Sequence, residues 1–98
     1  MLTSKQRAQL KSIANGIDTI SQVGKGGIGE QVVKQADDAL TAREIIKVRV
    51  LNNAPGMVRE MAEELAEKTG SEVVQTIGTK FVLYRANKKD PKIKLVKE

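Results

Sequence analysis

The chain has 98 residues, enough for one domain and too few for two. It contains no cysteine and no histidine, which removes disulfides, thiolate and imidazole nucleophiles, Ser–His–Asp triads and ordinary zinc sites. The formal charge of +5 is uneven: residues 1–29 carry four cations against Asp18, residues 30–70 are net acidic, and residues 71–98 carry seven cations against Glu72, Asp90 and Glu98. Positive charge therefore gathers at both chain ends and around a glycine cluster, a distribution that attracts a polyanion; a merely solubilising surface would look the same. No apolar run reaches signal-peptide or membrane-span length, so a soluble, cytoplasmic protein is expected.

The first predicted helix begins at Thr3, which has with Gln6 the spacing of a capping box. Leu10, Ile13, Ala14 and Ile17 recur at helical spacing, and Asn15-Gly16 is expected to stop the helix with glycine in the left-handed conformation. Residues 17–23 read as a strand that ends on the glycine cluster. A second helix is predicted over 30–40, with Val32, Val33, Ala36, Ala39 and Leu40 as its apolar stripe. The strand predicted over 45–51 alternates Ile46, Val48 and Val50 with Lys47 and Arg49. After the turn Asn52-Asn53-Ala54-Pro55-Gly56, Val58, Met61, Ala62, Leu65 and Ala66 mark a third helix, closed by Gly70. Residues 73–77 and 81–85 form a hairpin around Gly78-Thr79, where a glycine-first loop of two residues fits a type II′ turn. From Asn87 the tail is lysine-rich and weakly structured, so a domain over 1–86 and a basic tail over 87–98 are expected.

The order is α-β-α-β-α-β-β. Helical crossovers permit parallel pairing of their flanking strands, while the last two strands must pair antiparallel. The expected fold is α/β of the α+β sandwich type, a mixed four-stranded sheet covered by three helices. Phe81 and Tyr84 are the only aromatic residues and read as core, which excludes the stacked aromatic platforms of RRM and OB-fold binders.

The cluster Gly24-Lys25-Gly26-Gly27-Ile28-Gly29 follows a strand and opens a helix, and it has three readings. Gly24, Gly26 and Gly29 match the G-x-G-x-x-G dinucleotide fingerprint, with Glu44 twenty positions on. Glu44 precedes the second strand, however, whereas the ribose-binding acid belongs at a strand's carboxyl end. A Walker A loop fails because Gly26 follows Lys25 where Ser or Thr is required. In the second reading the glycines only allow a tight turn and close helix–sheet packing, which leaves Lys25 unexplained. In the third, Gly24-Lys25-Gly26-Gly27 is a KH-like GxxG clamp. Glycine lets a sugar–phosphate backbone approach, the helix N-terminus supplies unpaired N–H donors, and Lys25 supplies charge.

Across nearly its whole length the chain also resembles a known family. Leu2-Thr3-Ser4-Lys5-Gln6-Arg7, Leu10-Lys11, Gly24-Lys25-Gly26-Gly27, Ile46-Lys47-Val48, Gly70, Ile77-Gly78-Thr79-Lys80 and Val82-Leu83-Tyr84-Arg85 occur in the order and spacing of the bacterial YhbY family, the stand-alone CRM (chloroplast RNA splicing and ribosome maturation) domain. The resemblance implies a fold similar to the C-terminal domain of translation initiation factor 3. It also implies association with precursors of the large ribosomal subunit, and RNA contact through the GxxG loop. Gly29 departs from the family pattern, standing where a small polar helix cap is expected, and Asp18-Thr19 replaces a proline-containing approach to the first strand.

The expected RNA-binding residues are Gly24, Lys25, Gly26 and Gly27, extended by Lys5, Arg7, Lys11, Lys80, Arg85, Lys88 and Lys89 if the chain ends fold toward the loop. The partner is expected to be rRNA in precursors of the large subunit, bound by a monomer in ribosome biogenesis, with no metal, cofactor, membrane or small-molecule substrate. Two alternatives stand beside this. One is a basic module docking an acidic protein, whose ribosomal association would survive RNase. The other is an enzyme acting on a small phosphorylated substrate, which lacks a credible general base because Asp37-Asp38 read as a solvated helix face. The chain is expected not to be an enzyme.

Overall fold

A computed structural model describes residues 2–96. Its elements are α1 (Ser4–Ala14), β1 (Thr19–Val23), α2 (Glu30–Arg43), β2 (Ile45–Val50), α3 (Val58–Thr69), β3 (Glu72–Ile77) and β4 (Lys80–Tyr84). The capping box forms as its spacing predicts: the Gln6 N–H donates to Thr3 Oγ1, and the Thr3 N–H donates to Gln6 Oε1, each at 3.1 Å. Gly70 closes α3 in the left-handed conformation. Gly16 does not close α1 that way. Asn15 ends the helix in the right-handed region, and φ at Gly16 is not positive, so the stop needs no glycine. β1 is shorter than predicted because Ile17 still bonds back to Ala14.

The strands pair in the order β1-β2-β4-β3. The α2 crossover makes β1 parallel to β2, and β4 pairs antiparallel with both β2 and β3. In the hairpin loop Gly78 has φ +57 and Thr79 is not positive, as a type II′ turn requires. Alternation along the strands builds two apolar layers. Val23, Ile46, Val48, Val50, Phe81 and Leu83 face α2 and α3, meeting Ala36, Leu40, Met61 and Leu65. On the opposite face Ile45, Val74, Val82 and Tyr84 meet Leu10 and Ala14 of α1. Phe81 and Leu65 are fully buried, and burial of such side chains contributes about 1.5–3 kcal/mol each. No helix among the described residues is long and apolar enough to cross a membrane.

Two features lay outside the reach of hydrophobic pattern. α2 runs on to Arg43 because its stop is Glu44, a non-glycine residue at φ +67. Such a backbone conformation costs of the order of 1–3 kcal/mol and persists only where its surroundings fix it. Here they do. The Glu44 N–H donates to the Leu40 carbonyl, its own carbonyl accepts from the Arg85 N–H at 2.8 Å, and the residue is 1% exposed. The carboxylate accepts from the backbone N–H groups of Asn87, Lys92 and Ile93. The second feature is what this carboxylate holds. Residues 87–96 contain no helix or strand, yet they are tied down: Gln6 and Gln9 bond Lys94 and Val96, and Ile93 and Leu95 pack on the α1 side of the core.

Candidate nucleic-acid interface

At the carboxyl ends of the parallel strands β1 and β2, two loops meet. The first is a β-turn with the Gly27 N–H donating to the Gly24 carbonyl at 3.0 Å, so Lys25 and Gly26 form its tip. The turn is anchored at both ends: before it, Val23 is buried and its carbonyl accepts from the Leu51 N–H. Ile28 is buried in the core, its carbonyl accepts from Lys68 Nζ, and Gly27 lies against Pro55 of the second loop. The loop is thus held in place despite the missing cap: Gly29 is the N-cap of α2 and makes no side-chain cap bond.

The glycines of this cluster are not equivalent. Gly27 has φ +66, and a Cβ there would stand 3.2 Å from Pro55 Cγ, so the fold itself demands glycine. Gly26 has no positive φ, and a Cβ built on it meets nothing within 4 Å. The packing explanation of the cluster therefore accounts for Gly27 and not for Gly26, whose open side faces outward next to Lys25. Lys25 is exposed and bonds no carboxylate among the described residues. The N-terminus of α2 is worth roughly half a positive charge. Glu30 in its first turn opposes that by a full negative charge. Lys25 is what makes the loop positive, by a small margin.

The other basic candidates divide between the two ends of the sheet. Lys80 opens β4 at the loop end, where the Val50 N–H donates to the Thr79 carbonyl. Lys11 is exposed on α1, one turn before Asn15, which lies near Lys80. Lys88 and Lys89 sit beside Thr41 in the last turn of α2, about 18 Å along that helix from the glycine loop. Lys5 is on the first turn of α1, whose neighbourhood is Gly70, Tyr84 and Ala86 at this far end. The C-terminal segment folds back along α1, and the structure does not bring it to the loop.

Arg7 and Arg85 are occupied inside the molecule. β3 carries an irregularity between Val73 and Gln75, and Arg7 Nη1 donates to the Val73 and Val74 carbonyls there, at 2.6 and 2.8 Å. Arg85 bridges both helices of the opposite face. Its Nη1 donates to Asp37 Oδ1 at 2.6 Å and to the Thr69 carbonyl at 2.7 Å, and its Nη2 reaches the Asp37 carbonyl and Thr41 Oγ1. Asp37 is thus one half of an ion pair. Among the described residues no three acidic side chains converge as metal ligands.

A family model for the CRS1/YhbY (CRM) domain matches residues 2–85. The chain belongs to the CRM-domain family. This CRM domain is 45% identical over 95 residues to the probable RNA-binding protein YqeI of Bacillus subtilis, covering 97% of this chain and 99% of that one. It is 33% identical to the probable RNA-binding protein PA4753 of Pseudomonas aeruginosa, covering 93% and 88%. The solution structure of the Staphylococcus aureus protein SAV1595 superposes with a TM-score of 0.82 at 51% identity, covering 98% and 100%. Its match confirms the three helices and mixed four-stranded sheet.

Two cations of this CRM domain that sequence reasoning left out share the loop end with Lys80. In the sequence Lys47 and Arg49 mark only the polar half of a strand. In the fold they lie on the α1 side of the sheet, Lys47 half-buried near Asn15 at the end of α1 and Arg49 exposed. The available signal was the sign of the alternating residues: both outward positions of β2 past Ile45 are cationic.

Proposed function

We propose that this CRM domain binds RNA by its sugar–phosphate backbone through Gly24-Lys25-Gly26-Gly27. Its target is rRNA in precursors of the large ribosomal subunit, and it works as a cytoplasmic monomer in ribosome assembly. RNA as partner is supported by family membership and by the names of the relatives; the large subunit comes from the family resemblance. The observation that carries the loop assignment is Gly26. Neither its backbone conformation nor its surroundings require glycine, and it sits beside an exposed, unpaired lysine at an uncapped helix N-terminus. An approaching backbone explains all three. Lys80 and Lys11 extend the footprint at the same end. Lys5, Lys88 and Lys89 would take part only with an RNA that wraps to the far end, and Arg7 and Arg85 serve the fold.

Replacing Lys25 with Ala removes about one phosphate contact. The slope of log affinity against log salt should flatten by about 0.7–0.9, measured by filter binding to large-subunit rRNA transcribed in vitro. An unchanged slope and affinity would take the loop out of the interface. Crosslinking in cells followed by sequencing of the attached RNA tests the target, which should be a defined segment of large-subunit rRNA.

A further inference from the structure

The helix α1 stops short of the loop end of its side of the sheet. Strand register shows what that end presents. Gln22 pairs with Arg49, Arg49 with Lys80, and Lys80 with Ile77, forming one rung across all four strands at the loop end. One rung further in, Lys47 pairs with Val82 and Val82 with Gln75; Val82 is already buried there with Leu10 and Ala14 of α1, and Lys47 and Gln75 are half-buried, so this rung is the edge of the covered area. Gln22, Arg49, Ile77 and Lys80 are exposed, Ile77 by 58% despite being apolar.

This arrangement works against the fold. Arg49 and Lys80 are directly opposite, with Cβ atoms about 5 Å apart, and like charges so placed are destabilising. Lys47 follows on the same face about 7 Å along the strand. No carboxylate among the described residues bonds any of the three. The glycine loop, only slightly positive on its own, begins one residue after Val23, whose neighbour Gln22 starts the rung. Between the end of α1 and the sheet lies a groove of about 170 Å³, lined by Asn15, Lys47, Gln75, Ile77, Lys80 and Val82. Ile77 gives it an exposed apolar side, Asn15 and Gln75 two amides, and Lys47 and Lys80 a cationic rim. That is the chemistry of an unpaired nucleotide: apolar surface for the face of a base, amides for its edge, and cations for the phosphates.

We infer that the uncovered loop end of the sheet is a second RNA surface, which takes the single strand as it leaves the glycine loop, with Arg49, Lys80 and Lys47 on phosphates and one base in the groove. The inference rests on the RNA-binding reading of the loop. An acidic protein is the competing occupant; the amide-lined groove, at the same end of the sheet as the loop, favours RNA.

The test compares Arg49→Gln/Lys80→Gln, Lys25→Ala and Arg43→Gln with wild type, using large-subunit rRNA transcribed in vitro across a salt series. Arg43 is an exposed cation in the last turn of α2, away from the groove. The double variant should flatten the salt slope by about 1.4–1.8, the equivalent of two phosphate contacts, and weaken binding at least tenfold at fixed salt. Its urea midpoint should be at or above that of wild type, because a like-charge pair has been removed. Arg43→Gln should bind as wild type does. If the double variant keeps the wild-type slope and affinity while Lys25→Ala loses its share, the sheet surface is overturned and the loop reading stands. If wild type itself shows no salt-dependent binding, both fall together. Equal losses in the double variant and in Arg43→Gln would also overturn the assignment, since net charge alone would then explain the effect.

Discussion

Gly26 and Gly27 are neighbours with opposite obligations, and substitution separates them. Gly27→Ala forces an L residue to φ +66 against Pro55, at about 1–2 kcal/mol for the backbone alone. Gly26→Ala should leave folding stability unchanged or raise it by up to about 1 kcal/mol, by restricting the unfolded chain, while RNA affinity falls because the new methyl group stands where a sugar–phosphate would pass. Urea unfolding and filter binding on the same two variants check both. Tyr84 supplies a pH dependence. Burial, and then the Glu44 carboxylate, push its pKa above 10.0. The folded state therefore holds the phenol proton more tightly than the unfolded chain does. Stability is unaffected below about pH 10 and declines as pH climbs from there through the folded pKa. Urea midpoints measured across this window should fall less steeply in Tyr84→Phe than in wild type.

Among the elements, those set by hydrophobic period were legible and those set by distant partners were not. Alternation in residues 45–50 and the 3.6 period of residues 58–69 fix β2 and α3 from nearby residues alone. The end of α2 and the course of the tail have no such local cause. Both depend on Glu44, whose carboxylate meets donors more than forty positions away. Glu44→Ala should cost about 1–3 kcal/mol, the penalty of losing a buried acceptor, and should raise amide exchange at Asn87, Lys92 and Ile93 ahead of the strands. Exchange that stays slow at those three positions would show that Ile93 and Leu95 hold the tail by packing alone. The site was partly legible for a related reason. A glycine–lysine loop announces itself in sequence, but Arg7, Arg85, Arg49 and Lys80 look alike there. Only pairing and burial show that the first two bond their own chain and the last two repel each other across a rung.

At the scale of the whole molecule, the sheet has two ends with different work. The loop end gathers Lys25, Arg49 and Lys80, with Met57 and Ile77 exposed nearby. The far end is where chain joins chain: Glu44 receives the tail, Arg85 ties α2 to α3, and Arg7 ties α1 to β3. Changes made at one end should leave the other undisturbed, since the affected groups lie beyond a screening length of about 8–10 Å at physiological salt. That separation gives the protein a built-in optical gauge. Tyr84 is its only tyrosine and there is no tryptophan, so nearly all of its ultraviolet emission arises from a single ring, lodged in the seam between sheet, α1 and tail. Undocking of the tail would change that light without any attached dye, while an RNA bound at the glycine loop would leave the ring's surroundings dark to the event.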